Sequence, residues 1–451
     1  MLLDSWRRGA GVAAALACFS TAGVAVDLEG AYRQARAADP TLRAAEAALT
    51  AGREKAVQGD ALLKPQINLG AGSTYVNDRT QSSVPPPLSA LIKPESSGTV
   101  NQAALQLLQP IYNARSVADK KQLHQQSEIA EIAFRHAQQE LIQRVSEAYF
   151  GVLLAQESLQ VTRAEKAAVQ LQRDRAQARF EVGRGRITDL QEAQARLDTV
   201  AAKEVSAQSQ LALAQAQYQE LTGAPAIGLA PLQAQLVPAA PMPDDLAQWQ
   251  ARSRDGNTRV LFKQRELAIA GYEIDKFKLA ARPTLDLVAS VGTRGASGSL
   301  SPVMAPDGNR SAAIGVQFNV PLYAGGAIDS RQRESVARRS QAEEGLSAAQ
   351  RDARLQVQDA FLAVKTGVAR IAALEQSLAS ARTALEATVL GRDVGTRTEP
   401  DVLDAQQRVY AAQLDLAQAR NDYLLGRVRL AAAAGELRED DLRALDEYLV
   451  R

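Results

Sequence analysis

Hydrophobic positions along this chain keep two different periods, and the two take turns. Strict alternation marks four short stretches. In "LDLVASV" the residues Leu285, Leu287, Ala289 and Val291 fall on one face. In "AAIGVQFNVPLY" the same holds for Ile314, Val316, Phe318, Val320 and Leu322, with Gly315, Gln317 and Asn319 opposite. A weaker alternation sets Ile67, Leu69 and Ala71 against Asn68, Gly70 and Gly72, and then picks out Leu105, Leu107 and Ile111. A period of two predicts strands, here near 66–77, 99–112, 284–293 and 311–323. The segments within each pair, "NDRTQSSVPPPLSALIKPESSG" and "TRGASGSLSPVMAPDGN", are rich in Ser, Pro and Gly and predict polar loops.

The rest of the chain reads as helix. Each strand pair is preceded by a helical stretch, "LEGAYRQARAADPTLRAAEAALTAGREKAVQGDALL" or "RVLFKQRELAIAGYEIDKFKLAA", that a proline then ends. Each pair is followed by a very long stretch with no proline, 114–181 and 325–391. At 1.5 Å per residue such a helix is about 100 Å long. A further helix follows each, 187–222 and 399–434.

These parts form two copies of one plan. A constant offset carries Tyr149 to Phe361, Gly183 to Gly395, Asp189 to Asp401, Glu192 to Asp404 and Gly223 to Gly435. Duplication on this scale means a repeated domain, not a short solenoid unit. The expected organisation is a signal peptide at 1–25, a first repeat at 26–226, a Pro-rich linker at 227–245 and a second repeat at 246–451. The linker, within "GAPAIGLAPLQAQLVPAAPMP", predicts a small non-helical side region.

Composition narrows the class. Aromatics are only 4% of the chain, which suits long helices packed closely through small side chains. The 52 Lys and Arg balance 51 Asp and Glu, so no basic surface points to nucleic acid. Arg7 and Arg8, the short apolar run "GAGVAAALACF" and the small residues of "STAGVA" make a secretory leader. A membrane anchor is the weaker reading, because that run is too short to span a bilayer. Acylation of Cys18 after "ALA" is a third. Ordinary cleavage removes Cys18, the single cysteine, and leaves no disulfide.

Amphipathic strands of 10 to 13 residues are long enough to cross a bilayer when tilted. Four of them cannot close a barrel, and open edges in lipid would leave backbone groups unsatisfied. Membrane strands here therefore require several protomers to share one barrel. A small soluble sheet with one buried face has the same pattern. A helix of about 100 Å has no use in a compact globule, and favours the membrane reading.

No nucleophile elbow, phosphate loop or catalytic constellation is present, and no cofactor motif. His124 and His136, the only histidines, stand about 120° apart around one helix, too far round to share a metal. The stretches between the long helix and the returning one, "VGRGRITDLQEAQ" and "VGTRTEPDVLDAQ", are the distinctive motifs. Their glycines suit turns with positive φ. "TEPD" reads as a capping box, with Thr398 at the N-cap and Asp401 as the N3 acid, and Thr188 with Gln191 reads likewise.

The chain resembles the TolC family of outer-membrane ducts for efflux and type I secretion. "VGTRTEPDVLDAQQRVYAAQLDLAQARNDYLL", "LLKPQINLGAGSTY", "RPTLDLVASVG" and "VPLYAGG" carry the likeness, which covers nearly all of the mature sequence. The resemblance implies a homotrimer with a twelve-stranded β-barrel, four strands per protomer, set in outer-membrane lipid. The barrel would continue into a long α-helical coiled-coil barrel in the periplasm, partnered by a periplasmic adaptor and an inner-membrane ABC or proton-driven transporter. It also implies that Arg397 and Asp189 hold the periplasmic entrance shut between protomers, with Asp401 and Asp404 as acidic rings around it. Gly183, Gly185, Gly395 and Thr396 would form the helix turns where the adaptor packs. One departure is plain: Arg392 stands where the family has a gate tyrosine, and it either makes a charge-assisted pair with Asp189, the expected substitute, or turns outward and weakens the closed state. The cargo, protein or small molecule, stays open. The reading of a different class is a soluble periplasmic coiled-coil scaffold or adaptor.

Overall fold

Backbone hydrogen bonds between alternating apolar stretches build a single antiparallel sheet. The computed structural model describes residues 25–79, 85, 95–300 and 308–450. The expected secretory leader, with Cys18, and the middle of both hairpin loops lie outside those residues. The strands are β1 (Gln66–Arg79), β2 (Glu95–Tyr112), β3 (Thr284–Ala296) and β4 (Gly308–Asn319), in the order β1-β2-β3-β4. The β2–β3 pairing joins the two repeats. Among the described residues, β1 and β4 each pair along one edge only.

Register separates the two faces. Leu69, Leu105, Val291 and Ala312 stand in one cross-strand row, and Ile67, Leu107, Ala289 and Ile314 in another. The opposite face carries the row Gly72, Gln102 and Arg294 and the row Asn68, Gln106 and Ser290. The apolar face is bare: Leu69 is 75% exposed, Ile314 76% and Phe318 66%. β4 ends at Asn319, short of the expected 323. The corresponding end of β2 is held by β3 as far as Tyr112, whereas Val320 to Tyr323 meet no neighbour strand.

From the sheet run α3 (Ala114–Glu181) and α7 (Ala327–Asp393). Their 68 and 67 residues make each about 100 Å long. α4 (Ile187–Thr222) and α8 (Glu399–Ala434) return along them. No helix among the described residues is long and apolar enough to cross a membrane.

The helix expected ahead of the first strand pair is broken in two, and the one expected ahead of the second, from Arg259, has a further helix before it. α1 (Leu28–Ala38) meets α2 (Pro40–Ala61) at Asp39, and α5 (Leu246–Gly256) meets α6 (Thr258–Lys278) at Asn257. Pro40 has no N–H to donate and keeps Asp39 out of the helical region, at φ −66° and ψ 117°. The Asp39 carboxylate then accepts from the N–H of Leu42 and starts α2. Asn257 takes the same extended conformation and caps α6 through the N–H groups of Arg259 and Val260.

Each break lets a short helix extend the line of a returning one. Asn257 donates from Nδ2 to the carbonyl of Ala433, at the end of α8. Gly435, at φ +78°, brings the chain so close to Gly256 and Asn257 that any Cβ there would collide with their backbone. α6 thus continues α8, and α2 likewise stands over the end of α4, where Gly223 faces Ala38. α3 packs along α2 and α6 nearer the sheet, and along α4 and α8 further away.

The main core lies around these joints. Tyr149 is wholly buried, and its hydroxyl lies 2.9 Å from the carbonyl of Val26 and 3.0 Å from that of Ala230. Tyr423 on α8 makes the same kind of contact with Ala239, at 2.9 Å to both its N–H and its carbonyl. The linker is therefore pinned by one tyrosine from each repeat. A C-terminal helix, α9 (Glu439–Asp446), closes this collar. Its buried Asp446 accepts from the N–H groups of Leu28 at 2.7 Å and Glu29 at 3.2 Å, so the last helix caps the first.

Burial raises the pKa of Asp446 to about 6, helped by the nearby Asp27 and Glu29 and opposed by its two backbone N–H donors. The folded chain thus binds a proton that the unfolded chain has already lost. Stability from this group rises as pH falls through about 6. At Asp39 burial acts in the same sense, but Arg144 and the N–H of Leu42 outweigh it and hold the carboxyl low, so its loss comes only in stronger acid. The apparent melting temperature in detergent is expected to rise from about pH 7.5 to about pH 5.5, and Asp446→Asn to flatten that rise. Scanning calorimetry of both proteins at the two pH values checks it.

Candidate functional site

The two distinctive motifs form the turns at the ends of α3 and α7, about a helix length from the sheet. Both turns are built alike. Gly183 at φ +71° donates to Phe180, and Arg184 to Arg179 at 2.8 Å. Gly395 at φ +81° donates to Arg392, and Thr396 to Gly391 at 2.8 Å. This paired closure satisfies carbonyls that a helix end leaves open, and needs a left-handed residue at its corner. Gly185 serves differently. It has no positive φ, but a Cβ there would stand 3.0 Å from the Phe180 nitrogen, so it lets the chain turn close under α3.

The helix starts differ. Thr398 caps α8 in a full capping box: its hydroxyl faces the N–H of Asp401, and the Asp401 carboxylate accepts from the N–H of Thr398 at 2.7 Å. Those donors hold the Asp401 carboxyl below its ordinary pKa, with the nearby Arg397 adding to the effect. α4 has no such box. It starts at Ile187 with Arg186 as N-cap and no side-chain cap bond. The expected Thr188 cap is therefore wrong. Thr188 lies inside the first turn, because Arg186 occupies the place of Thr398.

The sequence-predicted residues gather on these two turns without pairing to one another. Arg397 and Asp404 are exposed, and Asp189 is half-exposed. Among the described residues, Arg397 and Asp189 make no ion pair within the chain. Thr396 holds its own turn, donating from its hydroxyl to the Gly391 carbonyl at 3.0 Å.

Arg392 does not reach Asp189 within the chain. Its side chain turns inward and is 7% exposed. It donates to Asp393 at 2.7 Å, to Gln172 on α3 at 3.4 Å and to Glu399 at 3.4 Å. Glu399 draws it there. This carboxylate, 4% exposed, also accepts from Arg179 on α3 at 3.2 Å. One buried acid thus bonds two arginines and joins α3, α7 and α8. Removing one partner of a well-buried pair costs about 3–5 kcal/mol, because the other charge is left stranded.

Sequence reasoning missed Glu399 and Arg179. Glu399 looked like an ordinary acid in a first helical turn. The available signal was that Arg179 and Arg392 stand in the last turn of the long helix in each repeat. Near by, Glu165 on α3, Arg196 on α4 and Gln406 on α8 bury polar atoms that find no hydrogen-bond partner among the described residues. The seam between the two helix pairs is otherwise closed by a small apolar cluster of Val169, Ala193, Val200 and Leu403.

No group of three or more potential metal ligands occurs among the described residues. His124 lies 3.0 Å from Asp60 and His136 3.0 Å from Thr258, in separate places.

The family model described as outer membrane efflux protein matches residues 31–224 and 261–436, one segment in each repeat. The chain is 33% identical over 445 residues to outer membrane protein TolC of Escherichia coli (strain K12), covering 96% of this chain and 87% of that one. It is 30% identical to the alkaline protease secretion protein AprF of Pseudomonas aeruginosa, covering 93% and 86%. The fold matches the Campylobacter jejuni CmeC outer membrane channel with a TM-score of 0.78 at 16% identity, over 99% of this chain and 98% of that one.

Thr398→Ala is expected to cost about 1 kcal/mol locally, which is about a fivefold faster amide exchange in the first turn of α8. The first turn of α4, which has no box to lose, should not change. Hydrogen–deuterium exchange followed by peptide mass spectrometry reads both turns in one experiment.

Proposed function

Because the chain belongs to the outer membrane efflux protein family, we propose that it is a passive export duct of the outer membrane. One observation carries the reading. A four-stranded sheet with a bare apolar face and two open edges stands at one end of helices about 100 Å long. The apolar face suits hydrocarbon and the polar face suits a water-filled bore. Hydrocarbon does not tolerate the open edges. Three copies joined edge to edge give twelve strands, enough to close a barrel. The helices then continue the wall as a tunnel through the periplasm, and the duct carries out no reaction of its own.

In this reading the paired turns are the periplasmic entrance. Arg397 of one protomer bonds Asp189 of the next, which fits the absence of that pair within one chain. Asp401 and Asp404 repeat around the axis as two acidic rings that favour cations at the mouth. Gly183, Gly185, Gly395 and Thr396 shape the ends against which a periplasmic adaptor packs. An inner-membrane transporter, ABC-type or proton-driven, supplies the energy. The relative named for alkaline protease secretion supports protein export by a type I system as the first cargo. Small-molecule efflux is the second.

The protein extracted from outer membranes is expected to run as a trimer by light scattering, and to form small-conductance pores in a planar bilayer. Arg397→Ala should raise that conductance. A monomer recovered from the soluble periplasm would reject the duct, and an unchanged conductance would reject the gate assignment.

A further inference from the structure

We propose that Glu399 is the positioning residue of a reversible latch, which ties the α7–α8 hairpin to α3 within each protomer and keeps the entrance closed. This rests on the reading of the turns as a gate. The argument starts from where the bonds of Glu399 go. Arg392 lies on the same hairpin, seven residues away across the turn, so the Arg392–Glu399 bond stays inside that hairpin. Arg179 lies on α3, so the bond from Arg179 to Glu399 crosses the seam. Any swing of the hairpin away from α3 must break the second bond and can leave the first intact.

That division has an electrostatic consequence. A buried carboxylate with a single partner would be stranded when that partner left, and its opening would be prohibitively costly. Glu399 always retains Arg392, which is 7% exposed and donates to it at 3.4 Å. Arg179 is 48% exposed and can return to water. The latch therefore holds, but opens without leaving an unpaired charge inside. The rest of the seam adds little that is directional. Towards the entrance it offers the apolar cluster around Leu403, a 3.4 Å contact from Arg392 to Gln172, and a 3.3 Å contact from the Tyr410 hydroxyl to the Ala164 carbonyl. The Arg429–Glu147 pair at 3.0 Å also crosses from α8 to α3, but far from the turns and close to the collar, where the hairpin is anchored. Arg392, at the place of the family's gate tyrosine, accordingly acts within its own protomer and not on Asp189.

The test compares single-channel conductance of Arg179→Gln, Glu399→Gln and Arg397→Ala in planar bilayers, with melting temperature measured alongside. The latch predicts that Arg179→Gln raises the conducting fraction by about tenfold or more, with little change in melting. Glu399→Gln should raise it likewise but lower the melting temperature, because it also strands the buried Arg392. Arg179→Gln, which leaves the Arg392–Glu399 pair whole, tests the same bond should Glu399→Gln fail to assemble. In Arg179→Cys/Glu399→Cys, a short bifunctional thiol reagent should restore the closed conductance, because it replaces the bond without its charge. An unchanged conductance in both glutamine variants, with Arg397→Ala raised, overturns the latch and leaves the gate standing. If Arg397→Ala is unchanged as well, the gate reading itself has failed.

Discussion

A strand in hydrocarbon must find a partner for every N–H and C=O on both of its edges, because no water is there to take their place. In this protein β1 and β4 each have one edge unmet among the described residues, and the face between them is apolar from Ile67 to Phe318. Nothing among the described residues satisfies those two edges. The proposed trimer follows from this shortage. The same proposal assigns the polar face, with Asn68, Gln102 and Ser290, to a shared bore. The early end of β4 belongs to the same constraint, since Val320 to Tyr323 have no neighbour to hold them.

In the proposed duct the helices solve a different problem, which is to keep a wall of even thickness over a great length. α3 and α7 run its whole extent, while α4 and α8 cover only the part beyond the joints. α2 and α6 take up the line where the returning helices stop. Two extended residues, Asp39 and Asn257, make the takeover possible, and each serves as the cap that starts the next helix. Around these joints α1, α9 and the linker form a collar pinned by Tyr149, Tyr423 and Asp446. The collar brings the two ends of the described chain together, so the repeats are fastened at the middle as well as through the sheet.

At the far ends the two repeats diverge. Both turns close through the same paired backbone bonds, but of the two returning helices α8 alone has a capping box and begins with a buried acid. The asymmetry sets the hairpins apart in role. The second is the better organised, held to the first by a charge that crosses the seam. In the proposed closed entrance, Asp189 and Arg397 remain available for a neighbouring protomer because Arg392 is already satisfied at Glu399.

Much of this was legible in the sequence by itself. Strand alternation at Leu285 to Val291, the proline-free run from Ala114 to Glu181 and the repeated "VG" motifs depend on short-range spacing, and one sequence carries that directly. The same is true of Gly183 and Gly395 as left-handed corners and of Thr398 with Asp401 as a box. The break at Asp39 was less visible, because helical periodicity continues across it, and the joint at Asn257 has a purpose only where the end of α8 meets it. The collar and the Glu399 bonds were not legible at all. They join residues 220 apart, such as Arg179 and Glu399, or 418 apart, such as Leu28 and Asp446. A local pattern fixes which side chains share a helix face. Which distant charge is buried beside which is decided only when the helices pack, since burial is what turns an ordinary first-turn acid into one that must be paired.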